Sequence, residues 1–317
     1  MKYSVLFSLA VLLTVPASAD ENSRTILDPE KVTPDYHIQG EYSGHMDGQT
    51  FGMHVVAQGD NTFKAVVYPG GLPGDGYIGY DRIFAEGATV DGVTKISSDG
   101  GYALINDGVA EVFVDGSPAG SLKRVERKSS SLGKKPPEGA VVLFDGSSAD
   151  NFIDGRIMMN DLLLAGSESR QKFDDHSLHL EFRLPYEPYD RGQQRGNSGV
   201  YIQGRYELQV LDSFGLEGEN NECGGIYSIS KPKVNACFPP LTWQTYDIDF
   251  KAARWENGSK LENARVTIRQ NGIVIHKDLE LTKGTPGKDA EGEGPGGLFL
   301  QGHGNQVMYR NIWVVRK

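Results

Sequence analysis

The chain has 317 residues and a formal net charge of −10 at pH 7. This negative balance makes the phosphate backbone of a nucleic acid, or an anionic membrane surface, a poor partner for the protein. A neutral ligand such as a sugar is compatible with the charge but is not selected by it. The length suits two domains or one large domain, and the 40 glycines and 15 prolines indicate many turns.

The chain begins with the pattern of a cleaved secretory signal. Lys2 precedes an apolar run over residues 5–15, and an Ala-Ser-Ala stretch ends at Ala19. The run is too short for an ordinary membrane span, and no later stretch is apolar enough for one. We therefore assign residues 1–19 to a signal peptide and predict a secreted or periplasmic protein, cleaved near Ala19, with no membrane insertion.

Residues 20–127 are predicted to form a small β-rich domain whose role the sequence does not reveal. Short β-rich runs end repeatedly at Gly, Asn or Asp, as in YHIQGEYSG, TFKAVVYPGG and GYALIND. Residues 128–139 then combine Ser, Lys, Pro and Gly without an apolar pattern, which indicates a linker.

Residues 140–317 are predicted to form a second all-β domain. Its candidate strands include HSLHLEFRL, WQTYDIDFKAARW and GGLFLQGHG. In NARVTIRQNGIVIH, an Asn-Gly pair at Asn271 separates two alternating runs, and both residue types tolerate the positive φ of a tight hairpin turn. Many antiparallel strands over about 180 residues favour a β-sandwich or jelly roll.

The stretch over residues 197–210 alternates strictly between apolar and polar side chains. Even positions such as Val200 and Leu208 form an apolar face. The odd positions carry planar or forked groups suited to directed hydrogen bonds and ring stacking, unlike the unordered Lys, Glu, Thr and Ser of a solvated face. The polar face comprises Tyr201, Gln203, Arg205, Glu207 and Gln209.

The chain contains two cysteines, Cys223 and Cys237. Export would permit a disulfide between them, and two buried free thiols are the alternative; the sequence leaves the choice open. A structural zinc site needs four good ligands, so the two cysteines alone do not predict one.

Several motifs between residues 141 and 317 occur in the order typical of one protein family. The opening VVLFDGSSADNF resembles the start of that family's domain, although Phe152 stands where the family commonly has Trp. Residues 20–127 lie outside the resemblance. The chain resembles the DUF1080 family, also called the 3-keto-disaccharide hydrolase domain, in the motifs RGNSGVYIQGRYELQVLDSFG, CGGIYS, NACFPPLTWQTYDIDFKAARW, ENARVTIRQNG and LQGHGNQVMYRNIW.

The resemblance implies a concanavalin-like β-sandwich in which a concave sheet face forms the sugar cleft. It also implies an enzyme that cleaves glycosides whose sugar carries a ketone at C3. The ketone acidifies the hydrogen on C2, so a base can remove it and the enolate can expel the aglycone, with or without rehydration. Such a site needs a base near C2, charge stabilisation at the C3 oxygen and an acid at the leaving oxygen.

Glu207 is the first candidate for the catalytic base or acid, because it is the only carboxylate on the polar face; the alternative is an ion pair with Arg195 or Arg205. His303, in a glycine-flanked loop, is the second, since histidine titrates near neutral pH; a histidine with local bonds is the alternative. Trp243 would stack on a sugar ring unless it belongs to the apolar core. The candidate substrate-binding residues are Arg195, Asn197, Tyr201, Arg205, Gln209, Trp243 and Gln301.

A divalent metal is a further hypothesis, because it would polarise the ketone as a Lewis acid. Asp212 and Glu222 are weak candidate ligands beside Glu207 and His303, and their spacing matches no metal motif. No dinucleotide fingerprint is evident, so we expect no NAD and a separate oxidoreductase that supplies the 3-keto sugar.

Two other functions remain open at this point. A non-catalytic carbohydrate-binding module would use the same sandwich, since lectins and hydrolases share it. An ordinary retaining glycosidase needs two carboxylates facing each other across a cleft, and the strand offers Gln209 where a second acid would be expected beside Glu207.

Overall fold

The computed structural model describes residues 25–79 and 81–317, and the predicted signal peptide lies outside them. Strands dominate this part of the chain. Its helical segments are the short helix α1 (Pro34–Ile38) and two single 3-10 turns, Pro29–Lys31 and Gly192–Gln194. None of the helices in the described residues has the length and apolar character needed to cross a membrane.

The N-terminal part forms a closed eight-stranded barrel in the order β1-β10-β9-β8-β7-β6-β3-β2. Tight hairpins at Asp47, Asp91, Asp107 and Asp115 each turn on an Asp-Gly pair, and both residues of every pair have positive φ. Asp-Gly suits such turns because both residues tolerate the left-handed conformation. The strands are β1 (Gly40–Met46), β2 (Gln49–Gly59), β3 (Thr62–Pro69), β4 (Leu72–Pro73), β5 (Gly76–Tyr77), β6 (Ile83–Val90), β7 (Val93–Ser98), β8 (Gly101–Asn106), β9 (Val109–Val114) and β10 (Ser117–Val125).

The C-terminal part stacks two sheets face to face. One is eight-stranded, in the order β13-β14-β25-β16-β19-β22-β23 with β11 paired to β25; the other is five-stranded, in the order β12-β15-β24-β17-β18. The strands are β11 (Val141–Phe144), β12 (Phe152–Ile153), β13 (Ile157–Met158), β14 (Leu162–Leu164), β15 (Ser167–Phe173), β16 (His176–Arg183), β17 (Ser198–Ile202), β18 (Tyr206–Val210), β19 (Trp243–Lys251), β20 (Arg254–Glu256), β21 (Ser259–Glu262), β22 (Ala264–Gln270), β23 (Ile273–Leu281), β24 (Gly296–Leu300) and β25 (Met308–Arg316).

This arrangement confirms the predicted fold class, an all-β chain with a C-terminal sandwich after a small β domain. The predicted Asn-Gly hairpin is also confirmed, because Asn271 and Gly272 have positive φ in the turn that joins β22 to β23. Apolar residues of both sheets fill the space between them, and each fully buried side chain of this kind contributes about 1.5–3 kcal/mol.

Cys223 and Cys237 lie in this core as buried free thiols. The disulfide that the sequence left open is therefore not formed in the structure. Cys223 Sγ lies 3.3 Å from the hydroxyl oxygen of Tyr246, and Gln270 Nε2 donates to the same sulfur over 3.2 Å. Burial, together with the neighbouring thiol, raises the pKa of Cys237.

The alternating stretch over residues 197–210 is a hairpin and not a single strand. A turn in which Gln203 has a positive φ of 55° separates β17 from β18. Gln203 and Arg205 therefore belong to the turn rather than to the polar sheet face. The alternation is preserved because Tyr201 pairs with Glu207 across the hairpin, which sets both side chains on the outer face.

The predicted linker is fastened to the outer face of the eight-stranded sheet. Ser131 Oγ donates to Asp247 Oδ2 over 2.5 Å, and the Gly133 N–H donates to Glu181 Oε1 over 2.6 Å. His179 is fully buried between these carboxylates, with Nδ1 2.9 Å from Asp247 and Nε2 3.7 Å from Glu181. Burial alone would lower the pKa of His179, but its hydrogen bonds to both carboxylates outweigh burial and raise the pKa.

His179→Gln is expected to lower the free energy of unfolding by about 2–4 kcal/mol, because two buried carboxylates lose their shared partner. A histidine whose pKa rises on folding stabilises the folded state fully below its unfolded pKa, and this contribution is lost as pH rises through the folded pKa. The deficit measured by urea unfolding should therefore be larger at about pH 5.5 than at about pH 8.5.

His176 provides the matched control, because it is also buried on β16 but burial lowers its pKa. The neutral form is favoured there, so wild-type stability falls as pH decreases and the deficit of His176→Gln should grow toward high pH. A His179→Gln deficit that is independent of pH, or that follows the His176 trend, would contradict a charged histidine bridge.

Candidate active site

One row of side chains crosses the outer face of the five-stranded sheet. Glu168 on β15 pairs with Phe299 on β24, Phe299 pairs with Tyr201 on β17, and Tyr201 pairs with Glu207 on β18. Residues directly opposite each other have Cβ atoms about 4.5–5.5 Å apart, so neighbours in this row are in contact range. Tyr227 continues the row past β18, because its N–H donates to the Glu207 carbonyl oxygen over 3.1 Å.

The Glu207 carboxyl group is buried, with 4% of the residue exposed. Gly199 leaves room for it, since a Cβ atom at that position would lie 2.6 Å from Glu207 Oε1. Burial raises the pKa of Glu207 to about 7, and the hydrogen bond with Tyr201 acts against this rise. A carboxyl group whose pKa lies near neutral pH can both accept and donate a proton, as general acid–base catalysis requires.

Amide side chains lie on the same sheet face as this carboxyl group. Gln301 Nε2 donates to the Tyr201 hydroxyl oxygen over 3.2 Å, and Gln209 Nε2 donates to Gln193 Oε1 over 3.1 Å. Asn197 Nδ2 donates to the Gln193 carbonyl oxygen over 2.7 Å. Among the described residues, the side-chain oxygens of Asn197, Gln209 and Gln301 are buried without a hydrogen-bond partner. Hydroxyl groups of a bound ligand would supply the missing donors.

The loop between β23 and β24 lies over this face, and sequence patterns did not single it out. Its Pro286 carbonyl oxygen accepts a hydrogen bond from the Tyr201 hydroxyl over 3.1 Å. Lys288 Nζ lies 3.0 Å from Glu168 Oε2 and 4.9 Å from the ring centre of Phe299. Polar loop residues follow no periodic pattern, so only the closure of the loop onto the sheet reveals that they border the site.

Glu187 is another residue that the sequence analysis missed. Its buried carboxylate accepts hydrogen bonds from the Gly196 N–H over 2.7 Å and from Asn305 Nδ2 over 2.8 Å. Burial raises the pKa of Glu187. This side chain holds the segment that precedes Asn197 against the loop that follows Gln301, and so positions two of the amides.

The two arginines predicted beside Glu207 lie elsewhere. Arg195 Nε donates to Asp212 Oδ2 over 2.6 Å, and Arg195 Nη1 reaches a backbone carbonyl of the barrel over 3.2 Å. Arg205 hydrogen-bonds within its own turn and to the loop before β24. Within the described part of the chain Glu207 forms no ion pair, so the alternative of an ion pair is wrong, and substrate binding by either arginine stays a prediction.

Trp243 also lies away from the candidate site. It begins β19 in the eight-stranded sheet, and its ring contacts the guanidinium groups of Arg183 and Arg310, at 5.1 and 3.8 Å from the ring centre. It shares the outward register of β19 with Asp247, on the opposite surface of the sandwich from Glu207. The prediction that it lines the same cleft is wrong, because alternation identifies a strand face but not the sheet.

The remaining candidates do not converge on the carboxyl group. His303 is exposed on the loop after β24 and has no hydrogen bond, ion pair or ring contact with another described residue, so its catalytic role stays a prediction. Asp212 is engaged by Arg195, and Glu222 accepts hydrogen bonds from two backbone N–H groups of its own loop. Within residues 25–79 and 81–317, no three His, Cys, Asp or Glu residues form a group suited to a metal ion.

The buried Glu207 carboxyl group and the amide oxygens without partners lie on one outer face of the β-sandwich, an arrangement that suits a carbohydrate-active domain. Residues 139–315 match the 3-keto-alpha-glucoside-1,2-lyase-like domain, and the chain belongs to that family, as its motifs indicated. A comparison with curated proteins gave no match.

Two solved structures from Parabacteroides distasonis ATCC 8503, each described as a candidate glycosyl hydrolase, are similar to this chain. The first is 30% identical with a TM-score of 0.53, over 58% of this chain and 86% of that one. The second is 16% identical with a TM-score of 0.44, over 60% of this chain and all of that one. The first supports the sandwich fold.

Tyr201→Phe should raise the pKa of Glu207 above about 7, because it removes the hydrogen bond that lowers that pKa. The measurement is a pH titration of the side-chain carboxyl carbon by ¹³C NMR. Tyr206→Phe is the matched control: Tyr206 lies on the opposite face of the same hairpin and donates to Glu291 over 2.6 Å. A pKa that is unchanged or lower in Tyr201→Phe would refute this account of the site.

Proposed function

We propose that this chain cleaves 3-keto-glycosides by removing the C2 proton with Glu207 and eliminating the aglycone from C1. The C2–H bond breaks, its electron pair forms an enolate with the C3 ketone, and collapse of the enolate breaks the C1–O bond. The products are an unsaturated 3-keto sugar and the aglycone, whose oxygen receives a proton. Addition of water across the new double bond would make the outcome a net hydrolysis. The family's name supports this substrate class.

The observation that carries the proposal is the buried position of the Glu207 carboxyl group, opposite Tyr201 on the outer sheet face, where burial raises its pKa to about 7. A weakly basic carboxylate with a low pKa would remove a carbon-bound proton slowly, whereas a pKa near the working pH gives the best compromise between basicity and ionisation. The same group, once protonated, would return the proton to the departing oxygen.

Charge on the enolate oxygen needs hydrogen-bond donors, and the site offers neutral ones. The Tyr201 hydroxyl stays neutral because burial, followed by the nearby Glu207 charge, raises its pKa, and it would donate to the enolate in place of the Pro286 carbonyl oxygen. Gln301 contributes an amide on the same face that donates one N–H to Tyr201 and keeps a second for the substrate, whereas Gln209 donates to Gln193 and Asn221. Fixed neutral donors in a site shielded from water are effective at stabilising developing oxyanions.

The geometry disfavours an ordinary glycosidase mechanism. The other carboxylate in the same cross-strand row, Glu168, is three strand spacings from Glu207, or about 14 Å. Retaining and inverting enzymes hold their two carboxyl groups about 5–9.5 Å apart. Glu168 is also paired with Lys288.

The substrate requires a ketone that this mechanism does not itself create. We extend the proposal to a separate oxidoreductase that oxidises the C3 hydroxyl group, and to action outside the cytoplasm after signal cleavage. The chemistry of the substrate supports the first extension, and the apolar run over residues 5–15 supports the second.

Glu207→Gln should reduce turnover of a 3-keto-glucoside by about 10²–10⁴-fold, because an amide cannot accept the C2 proton. Exchange of the C2 hydrogen with deuterated water, followed by NMR, should fall in parallel. Glu280→Gln, on the other sheet and exposed, is the control and should retain activity. Saturable sugar binding by the wild type with no exchange and no product would instead identify a carbohydrate-binding module.

The pH dependence of kcat/KM should report the same carboxyl group. Glu207 must be ionised to act as the base, so kcat/KM should rise with pH through about 7 and level off above it. In Tyr201→Phe the rising limb should move to higher pH. A profile that falls with pH through the same range would show that the protonated form is the active one, and would contradict the assignment as base.

A further inference from the structure

A short segment beside β18 places a second tyrosine next to Glu207. Leu208 and Ile226 pair in antiparallel fashion, and the Tyr227 N–H donates to the Glu207 carbonyl oxygen over 3.1 Å. Ile226 is fully buried in the core between the sheets, so the residue that follows it, Tyr227, is on the outer side of the segment, the side that carries Glu207. Ser228 then has a positive φ of 55°, and the chain turns away.

Tyr201 and Tyr227 therefore flank Glu207 from the two sides of β18. Burial, followed by the Glu207 charge, raises the pKa of Tyr201, and the charge of Tyr227 adds to the rise. The Tyr201 hydroxyl is engaged, since it donates to the Pro286 carbonyl oxygen and accepts a hydrogen bond from Gln301. Tyr227 differs, because its side chain is only half-buried and its hydroxyl has no hydrogen-bond partner among the described residues.

The order of these three side chains matches the order of the reacting atoms. In a 3-keto-glycoside, C2 lies between C1, which carries the departing oxygen, and C3, which carries the ketone. The site has Glu207 between two tyrosines. With Glu207 at C2 and the Tyr201 hydroxyl at the C3 oxygen, the hydroxyl on the other side of Glu207 is the donor for the oxygen on C1.

We propose that Tyr227 is a second catalytic residue, the acid that protonates the departing glycosidic oxygen; this inference rests on the proposed elimination by Glu207. Glu207 takes the C2 proton, and the electron pair of the enolate forms the C1–C2 double bond as the C1–O bond breaks. The aglycone oxygen leaves with the pair of that bond and takes the phenolic proton of Tyr227. Protonated Glu207 then returns a proton to the tyrosinate, so the proton from C2 reaches the aglycone through Tyr227 and both residues are restored.

The test compares Tyr227→Phe with the wild type on two substrates that differ only in the aglycone. Methanol is a poor leaving group that needs the proton, so its release from methyl 3-keto-glucoside should fall about 10²–10⁴-fold. The 4-nitrophenolate ion leaves without protonation, so its release should change less than about threefold. Tyr102→Phe, on β8 of the barrel, is the matched control and should leave both rates unchanged, because Tyr102 is also half-buried with a hydroxyl that has no partner in the described part of the chain.

Exchange of the C2 hydrogen in deuterated water separates this inference from the proposed function. The base is intact in Tyr227→Phe, so deuterium should enter the recovered methyl substrate at least as fast as with the wild type, although release is slow. In Glu207→Gln both exchange and release should be lost. A wild type that shows neither would overturn the elimination, and with it the role of Tyr227. Turnover by the wild type with unchanged methanol release in Tyr227→Phe would overturn the role of Tyr227 alone.

Equal losses of methanol and 4-nitrophenol release would also overturn that role, because a general disturbance of the site does not discriminate between aglycones. If thermal unfolding shows that Tyr227→Phe does not fold, NMR of a ¹³Cζ label at Tyr227 decides the question. In Glu207→Gln, bound methyl 3-keto-glucoside should shift the Tyr227 signal and leave the signal of a labelled Tyr102 unchanged. Binding without a shift at Tyr227 would contradict the assignment.

Discussion

Every feature of the candidate site depends on the register between β17 and β18. In this register Tyr201 stands opposite Glu207, and the intervening residues Val200 and Leu208 point into the core. A slip of one residue would reverse every side chain and drive the carboxyl group between the sheets, where an unpaired charge costs several kcal/mol. The turn between β17 and β18 also fixes the register, because Gln203 and Gly204 both have the positive φ of a tight turn at this position. Apolar packing and turn geometry therefore specify the same arrangement.

The raised pKa of Glu207 depends on the distance between its carboxyl group and the arginine side chains. An arginine within about 4–6 Å would lower a carboxyl pKa by roughly 1–3 units and fix the group as a weak base. The structure sets Arg195 and Arg205 against other partners, and leaves the carboxyl group beside the Tyr201 hydroxyl, which accepts a hydrogen bond from Gln301. Buried amide oxygens without donors cost about 1–3 kcal/mol each, and such groups persist in native proteins chiefly where a ligand or a function requires them.

Local patterns predicted the parts of this structure that depend on local chemistry. Alternation and the Asn-Gly pair identified the strands and one hairpin, and the single carboxylate on the polar face was found because period-2 patterning separates the two faces of a strand. Local patterns carry no information about which residues from other strands and loops lie beside a candidate residue. Arg195 and Trp243 have the residue types of a sugar site, yet one is engaged across the barrel interface and the other belongs to the opposite sheet.

The missed residues share the same cause. Lys288 comes from a loop that closes over the sheet, and Glu187 acts through hydrogen bonds to residues on two separate segments. No periodicity encodes such contacts, because they arise only once the sheets have stacked.

The segment over residues 191–197 lies between the barrel and the candidate site, and its anchoring sets the position of Asn197 in that site. Arg195 points toward the barrel, whereas Asn197 joins the amides beside β18. Between them, the Gly196 N–H is held by the buried Glu187 carboxylate, which accepts further hydrogen bonds from Thr25 and Asn305. These hydrogen bonds resist displacement of the segment, because moving Gly196 would leave the buried Glu187 carboxylate without one of its donors. The position of Asn197 beside β18 is therefore set by buried hydrogen bonds at Gly196 and not by the contact of Arg195 with the barrel.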